Sequence, residues 1–249
     1  MRIEILTLFP EMFAPLHASI LGRAEEKGLV RIRETDIRLF SEDKHKRCDD
    51  YPFGGGAGMV MTPQPVADAI RAADPAHVLH RVYLSPRGRT LNQKIVRELA
   101  EKPGLLLLCG HYEGLDQRII DGMIDEEISV GDYVLTGGEL PAMVLADSVC
   151  RYIPGVLAED ATKEESFSED LLEYPQYTRP EVFEGMRVPE VLLSGHHENV
   201  ERWRMEQRIA LTEQRRPELL ERSETAREFL ERERKRAERR AKRRKKDSC

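Results

Sequence analysis

The chain has 249 residues, 40% of them hydrophobic, which is enough for a real core in one or two domains and excludes a bare motif or a minimal disulfide knot. Its wholly apolar runs, such as residues 105–109, fall far short of the roughly 20 residues a membrane-spanning helix needs. The net charge of −6 argues mildly against a nucleic-acid partner, but residues 231–249 hold 11 Lys or Arg against 4 Asp or Glu, so the tail carries +7 and the first 230 residues −13. A solvated helix end and a nucleic-acid contact both fit such a tail.

Residues 2–8 are a β-branched and leucine run, followed by Pro10 at a helix start and an apolar pattern that stops near Gly28. Glu4 interrupts what would be the apolar part of a signal peptide, and no small-residue cleavage site follows, so a cytoplasmic chain is expected. Residues 30–39 alternate as a strand and residues 63–73 read as a helix. Residues 78–84, 91–101, 105–109 and 116–120 continue as strand, helix, strand and helix. The unbroken run 105–109 suits a strand buried on both faces, so this region is read as an α/β domain with a mainly parallel sheet. After Pro154 the composition changes: residues 158–173 hold acids, Ser and Thr with few large apolar side chains, as an exposed linker would. From Glu198 onward Val200, Trp203, Ile209, Leu211, Leu219, Leu220, Phe229 and Leu230 supply a small helical domain, broken at Pro217. The expected division is an α/β domain at 1–157, a linker at 158–172 and a helical domain with the basic tail at 173–249.

The four cysteines, Cys48, Cys109, Cys150 and Cys249, contain no C-x-x-C pair, so neither a zinc site nor a disulfide framework is expected and the thiols are read as reduced. Gly54-Gly55-Gly56-Ala57-Gly58 lets the backbone approach a ligand closely, yet it is neither a P-loop nor a dinucleotide fingerprint, and a flexible loop fits it equally. Three segments follow strand-like runs: Tyr83-Leu84-Ser85-Pro86-Arg87-Gly88, Cys109-Gly110-His111-Tyr112-Glu113-Gly114, and the longer stretch from Ser129-Val130-Gly131-Asp132-Tyr133 to Pro141. Ligands bind α/β sheets at the carboxyl edge, so these loops suit a pocket for an adenosine-sized molecule, although tight turns and helix caps explain any single glycine. Adjacent His196 and His197 match no zinc spacing, and Ser194 reads as a helix cap.

On these residues the sequence closely resembles the bacterial tRNA (guanine-N1)-methyltransferase family. The resemblance runs through Leu8-Phe9-Pro10-Glu11-Met12-Phe13, Asp49-Asp50-Tyr51-Pro52-Phe53-Gly54-Gly55-Gly56, the three loops above, Arg151-Tyr152-Ile153-Pro154-Gly155-Val156-Leu157, Tyr177-Thr178-Arg179-Pro180-Glu181 and Ser194-Gly195-His196-His197. It covers about the first 220 residues. It implies an α/β fold whose carboxyl part is a trefoil knot, as in SPOUT methyltransferases, a topology that pattern reading alone would reject. It also implies a homodimer that uses S-adenosylmethionine to methylate the guanine immediately 3′ of the anticodon, which helps maintain the reading frame.

By the family's pattern Tyr83, Leu84, Ser85, Pro86, Gly110, Tyr112, Glu113, Ser129, Val130, Gly131, Asp132, Tyr133, Val134, Leu135, Gly137, Gly138 and Pro141 would bind the cofactor. Guanine N1 carries a proton at neutral pH and is a poor nucleophile until a base removes it, and charge then develops on O6, where an arginine can stabilise it. The resemblance gives the arginine role to Arg151. Many members carry the base in an Asp-Ser-Phe string; here the string is Glu164-Glu165-Ser166-Phe167, so Glu165 takes the role, with Glu173 at a downstream carboxylate position. Asp49 and Gly58 would meet the guanine preceding the target, and Lys44, His45 and Arg179 would contact phosphates of the anticodon stem-loop. The family's magnesium dependence finds no acidic cluster of ligand spacing, so no metal residue is named. A related knotted enzyme acting on ribose 2′-hydroxyl, and a non-catalytic RNA-binding module, are the alternatives.

Overall fold

The structure, a computed structural model, describes residues 1–247, so Ser248 and the thiol of Cys249 lie outside the described residues. The chain divides into two compact units, Met1–Glu159 and Asp160–Cys249. In the first, β1 (Arg2–Thr7) leads through a 3-10 stretch (Pro10–His17) into α1 (Ser19–Glu26) and β2 (Arg31–Asp36). A short ribbon, β3 (Asp49–Asp50) with β4 (Val60–Met61), precedes α2 (Pro63–Ala73). Then β5 (His80–Thr90), α3 (Gln93–Ala100), β6 (Gly104–Cys109), α4 (Gln117–Met123), β7 (Glu126–Ser129) and α5 (Glu139–Cys150) alternate.

The main sheet has the order β2-β1-β6-β5-β7 and every pairing is parallel. A parallel sheet needs cover on both faces, and β6 at its centre shows why its sequence is uninterrupted leucine. Leu105, Leu107 and Cys109 pack on one face with α1, α3 and α5, whereas Leu106 and Leu108 pack on the other with α2 and α4.

Three local departures from the pattern reading have physical causes. The apolar segment after Pro10 is a 3-10 stretch and then a separate helix, because Pro15 has no N–H to donate to a continuous α-helix. The alternation over residues 30–39 ends as a strand at Asp36, whose carboxylate accepts the Arg38 N–H (2.8 Å) and turns the chain into a 3-10 helix at Ile37–Phe40. β5 continues past Leu84 to Thr90, but its register with β7 jumps between Leu84 and Arg89, so Ser85, Pro86 and Arg87 bulge from the sheet. Gly88 lets the chain rejoin, since a Cβ there would lie 2.4 Å from the Glu127 backbone.

The second unit carries a hairpin, β8 (Val182–Phe183) with β9 (Met186–Arg187), then α6 (Glu190–Leu193), α7 (His197–Arg215), α8 (Pro217–Leu220) and α9 (Glu224–Asp247). Leu171, Ile209 and Ala226 form its small core. The stretch read as an exposed linker is therefore partly interior: Ser168 and Leu171 are buried, because Arg208 of α7 donates to Ser168 O (2.9 Å) and Leu172 N–H donates to Thr212 Oγ1 (2.9 Å). Ser194 does not cap α7. Its hydroxyl donates to Val191 O (2.7 Å) and accepts the His196 N–H (3.3 Å), closing the end of α6.

At the end of the 3-10 stretch, His17 Nδ1 lies 2.6 Å from Glu25 Oε2 and Nε2 lies 2.9 Å from Glu34 Oε1, tying α1 to β2. The hydrogen bond to Glu25, with that to Glu34, raises the His17 pKa above its ordinary 6.5 despite some burial. A raised folded-state pKa stabilises the fold fully below 6.5, and that contribution fades as pH climbs through the raised value. The stability difference between the native chain and His17→Gln is thus expected to be largest in the acid range and to shrink toward pH 8, by denaturant unfolding at a series of pH values. A difference that grows with pH would contradict the pairing. Because His17 is partly exposed, the effect is expected to be small.

Candidate active site

β6, β5 and β7 are neighbours in the sheet and all point the same way, so the chain leaves them at one edge. Their carboxyl ends lead into the loops after Leu84, Cys109 and Ser129, which enclose a cavity of about 330 Å³. Every sequence-predicted cofactor residue lines it except Asp132. The reason for that exception is local: Tyr133 N–H donates to Gly131 O (2.9 Å), a three-residue turn that leaves the residue at its tip exposed. Arg87, His111, Gly114, Leu115, Ile128 and Thr136 line the cavity as well, and the sequence reading did not single them out. The signal for Arg87, His111, Gly114 and Thr136 is their place within the same three loops, which Leu115 and Ile128 directly flank.

Two of these loops touch so closely that side chains have no room. Gly138 N–H donates to Gly110 O (2.8 Å), and a Cβ on Gly138 would lie 2.7 Å from Cys109 Cα. A Cβ on Gly110 would meet the Tyr83 hydroxyl at 2.7 Å, so glycine here lets the Tyr83 ring lie along the end of β6. Burial raises the Tyr83 hydroxyl pKa, keeping it a neutral hydrogen-bonding group. Glu139, the first residue of α5, is almost wholly buried. Its Oε1 accepts from Thr7 Oγ1 (2.7 Å), its Oε2 lies 2.8 Å from His111 Nε2, and Thr7 Oγ1 accepts the Phe9 N–H (2.9 Å). One buried carboxylate thus joins the end of β1, the loop after β6 and the start of α5.

The glycine-rich loop abuts the same cavity. Glu113 N–H donates to Met59 O (2.9 Å), Met61 N–H donates to Gly114 O (2.9 Å), and the Glu113 side chain crosses Gly58 within 2.4 Å of where a Cβ would stand. Tyr112 adopts a left-handed backbone (φ 59°), and its hydroxyl pKa is raised by burial and then by the charge of Asp49. Asp49 and Gly58 therefore stand beside the cavity wall. Lys44 and His45 are exposed in the preceding turn, where the Asp43 carboxylate accepts the His45 N–H (2.8 Å). Arg179 is exposed in the second unit.

The two residues with expected chemical roles lie in different units. Arg151 is half-buried at the carboxyl end of α5, its N–H donating to Asp147 O (3.3 Å). Glu165 is half-buried in the second unit, and its carbonyl accepts the Ser168 N–H (3.0 Å). The turn that follows it is strained: Phe167, Glu169 and Asp170 all have left-handed backbones, with φ of 74°, 60° and 56°. Arg208 restrains that turn, Nη1 pairing with Glu169 Oε2 and Nη2 donating to Ser168 O, each at 2.9 Å, while Ser223 Oγ donates to Glu169 O (2.7 Å). Glu173 N–H donates to Ser166 Oγ (3.1 Å).

Cys48, Cys109 and Cys150 are free and buried. Burial pushes the Cys109 thiol well above its usual range and the Cys150 thiol to about 12, so neither suits a nucleophile. Among the described residues no group of three or more His, Cys, Asp or Glu could hold a metal ion. The magnesium implied by the resemblance therefore finds no fitting ligand set among the described residues. No described helix is long and apolar enough to cross a membrane.

The cavity, lined by glycines, tyrosines and apolar side chains at the carboxyl edge of a parallel sheet, suits a small molecule with an aromatic ring and a polar tail. A family model described as tRNA (Guanine-1)-methyltransferase TrmD matches residues 1–222. Among curated relatives, a protein of Clostridium botulinum (strain Alaska E43 / Type E3) is 56% identical over 220 residues, covering 88% of this chain and 92% of its own. One of Clostridioides difficile (strain 630) is 53% identical over 228 residues, covering 90% and 99%. One of Alkaliphilus oremlandii (strain OhILAs) is 55% identical over 229 residues, covering 88% and 92%. All three are named tRNA (guanine-N(1)-)-methyltransferase.

Replacing Glu139 by Ala leaves the buried Thr7 hydroxyl without its acceptor and His111 without its carboxylate. Glu139→Ala is expected to cost about 1–3 kcal/mol in denaturant unfolding, with Glu139→Gln costing less. A change in Glu139→Ala within about 0.5 kcal/mol would show that the carboxylate holds nothing together.

Proposed function

The chain belongs to the tRNA (Guanine-1)-methyltransferase TrmD family, and from that membership we propose that it transfers a methyl group from S-adenosylmethionine to N1 of the guanine immediately 3′ of the anticodon in tRNA. One observation carries the reading: in a chain of this family, three loops meet in a glycine-lined cavity at the carboxyl edge of the sheet. The relatives' names specify guanine N1, which favours base methylation over ribose methylation.

Tyr83, Leu84, Ser85 and Pro86, with Gly110, Tyr112 and Glu113 and the residues from Ser129 to Pro141 that line the cavity, would hold the adenosine and amino-acid parts of the cofactor. When bound, the cofactor supplies an activated methyl on its sulfonium. The chain's own task is then to make guanine N1 nucleophilic and to fix it in place. Glu165 takes the N1 proton; the restraint that Arg208 places on the following turn limits where that carboxylate can go. Arg151 stabilises the charge that develops on O6 as the proton leaves. Asp49 and Gly58, standing beside the cavity wall, would meet the guanine before the target, which must leave its stack to react. Lys44, His45 and Arg179 would contact phosphates. The linker and helical unit would carry the base and bind the anticodon stem-loop.

The same reading includes a cytoplasmic homodimer and a trefoil-knotted carboxyl part of the first unit. The dimer is supported by Met12 on the 3-10 stretch and by Leu140 and Val144 on the adjoining α5, large apolar side chains that the single chain leaves exposed. The knot follows from membership of the family.

Purified protein given labelled S-adenosylmethionine and an unmodified tRNA transcript with consecutive guanines at the anticodon end is expected to yield N1-methylguanine at that position, located by nuclease digestion and mass spectrometry. Methyl on ribose, or none, would overturn the reading. Glu165→Gln is expected to lower kcat by about 10²–10⁴-fold with cofactor binding retained, and full activity would remove Glu165 as the base. Arg151→Ala is expected to lower kcat by about 10²–10³-fold, more than it weakens cofactor binding.

A further inference from the structure

We infer that the last turns of α9 form a docking surface for the phosphate backbone of RNA, an inference that rests on RNA being the substrate class. α9 begins at Glu224, just beyond the family match that ends at residue 222. Its first turns are anchored within the second unit: Ala226 is buried, Phe229 packs against the small core, and Glu233 pairs with Arg202 of α7 (2.8 Å). Over these turns the helix satisfies its own charges. Glu228 pairs with Arg232 (3.8 Å), Glu231 with Lys235 (2.6 Å), Glu233 with Arg236 (3.0 Å) and Glu238 with Arg234 (3.3 Å).

Beyond Glu238 the sequence changes character. Residues 239–246 contain seven Lys or Arg in eight positions and no acid. Seven like charges in so short a stretch repel one another, and an external polyanion relieves that repulsion. The composition narrows the partner. Ala241 is the one apolar residue among these eight, so there is no apolar face to enter a lipid surface and no aromatic side chain to stack on a base. What remains is sequence-independent contact with phosphates, along a helix whose 24 residues span about 36 Å.

The test replaces the seven cations of residues 239–246 by Gln (Arg239→Gln, Lys242→Gln and the other five), which keeps helix propensity. Binding of the full-length native and variant chains to an unmodified tRNA transcript and to an unrelated RNA duplex is measured over a salt series. The variant is expected to bind the transcript about tenfold or more weakly near 0.1 M salt, with a slope of log K against log salt shallower by about three. Its affinity for S-adenosylmethionine is expected to be unchanged, which shows that the first unit is intact. Loss on both RNAs identifies any RNA backbone as the occupant, and loss on the transcript alone identifies the substrate; either supports the inference. Unchanged affinity and slope on both RNAs would overturn it, as would unchanged RNA binding accompanied by loss of binding to phosphatidylglycerol vesicles. The readout is binding, so failure to form N1-methylguanine would count against the proposed function and leave this result standing.

Discussion

The contact on which the first unit depends is the meeting of Gly137, Gly138 and Glu139 with Cys109, Gly110 and His111. A Cβ at Gly137 would lie 2.3 Å from His111 Nε2, and one at Gly138 would lie 2.7 Å from Cys109 Cα. The two backbones therefore come together because glycine stands at 138, while Gly137 leaves room for the His111 ring. Glu139 then fixes the contact from the inside, through Thr7 and His111. A parallel sheet brings three strand ends to one edge, but without this contact the loops that follow would be three separate connections. With it they become the walls of one cavity, and α5 starts at a defined height above β6.

The second unit solves a different problem with charge and hydrogen bonds. Its core is small, resting on Leu171, Ile209 and Ala226 with a few partly buried neighbours. The turn after Glu165 holds three left-handed non-glycine residues, a conformation that the chain would leave if nothing opposed it. Arg208, nearly buried, opposes it by reaching both Ser168 O and Glu169. Arg208 is nearly buried while Glu169 is half exposed, so losing Glu169 would leave the guanidinium short of a partner, and the contact restrains the turn. A stiff turn is a suitable place for a proton-accepting carboxylate, whose position relative to a base matters to within fractions of an ångström.

Much of the sheet could be read from the sequence because parallel α/β architecture writes itself into short apolar runs. Residues 105–109 announce a doubly buried strand, and α2 begins at the proline that starts its pattern. Sites of local competition were less legible. Asp36 turns β2 early through a side-chain bond that no periodicity reveals, and Pro86 lies in a bulge between two paired parts of one strand. Ser168 and Leu171 sat in a stretch of acids and hydroxyls that read as exposed, since the cation that draws them inward, Arg208, lies 40 residues from Ser168 in sequence. The cavity wall was legible as three loops from the strand–loop pattern, but their closure was not: Glu139 and His111 look like surface residues until the fold buries one against the other.

These three loops are the proposed cofactor site. Hydrogen–deuterium exchange of the full chain with and without S-adenosylmethionine tests it most directly. Slower exchange is expected at the amides of residues 83–88, 110–114 and 129–141, with the second unit little changed in the absence of RNA. Unchanged exchange in all three loops at saturating cofactor, with protection appearing elsewhere, would contradict it.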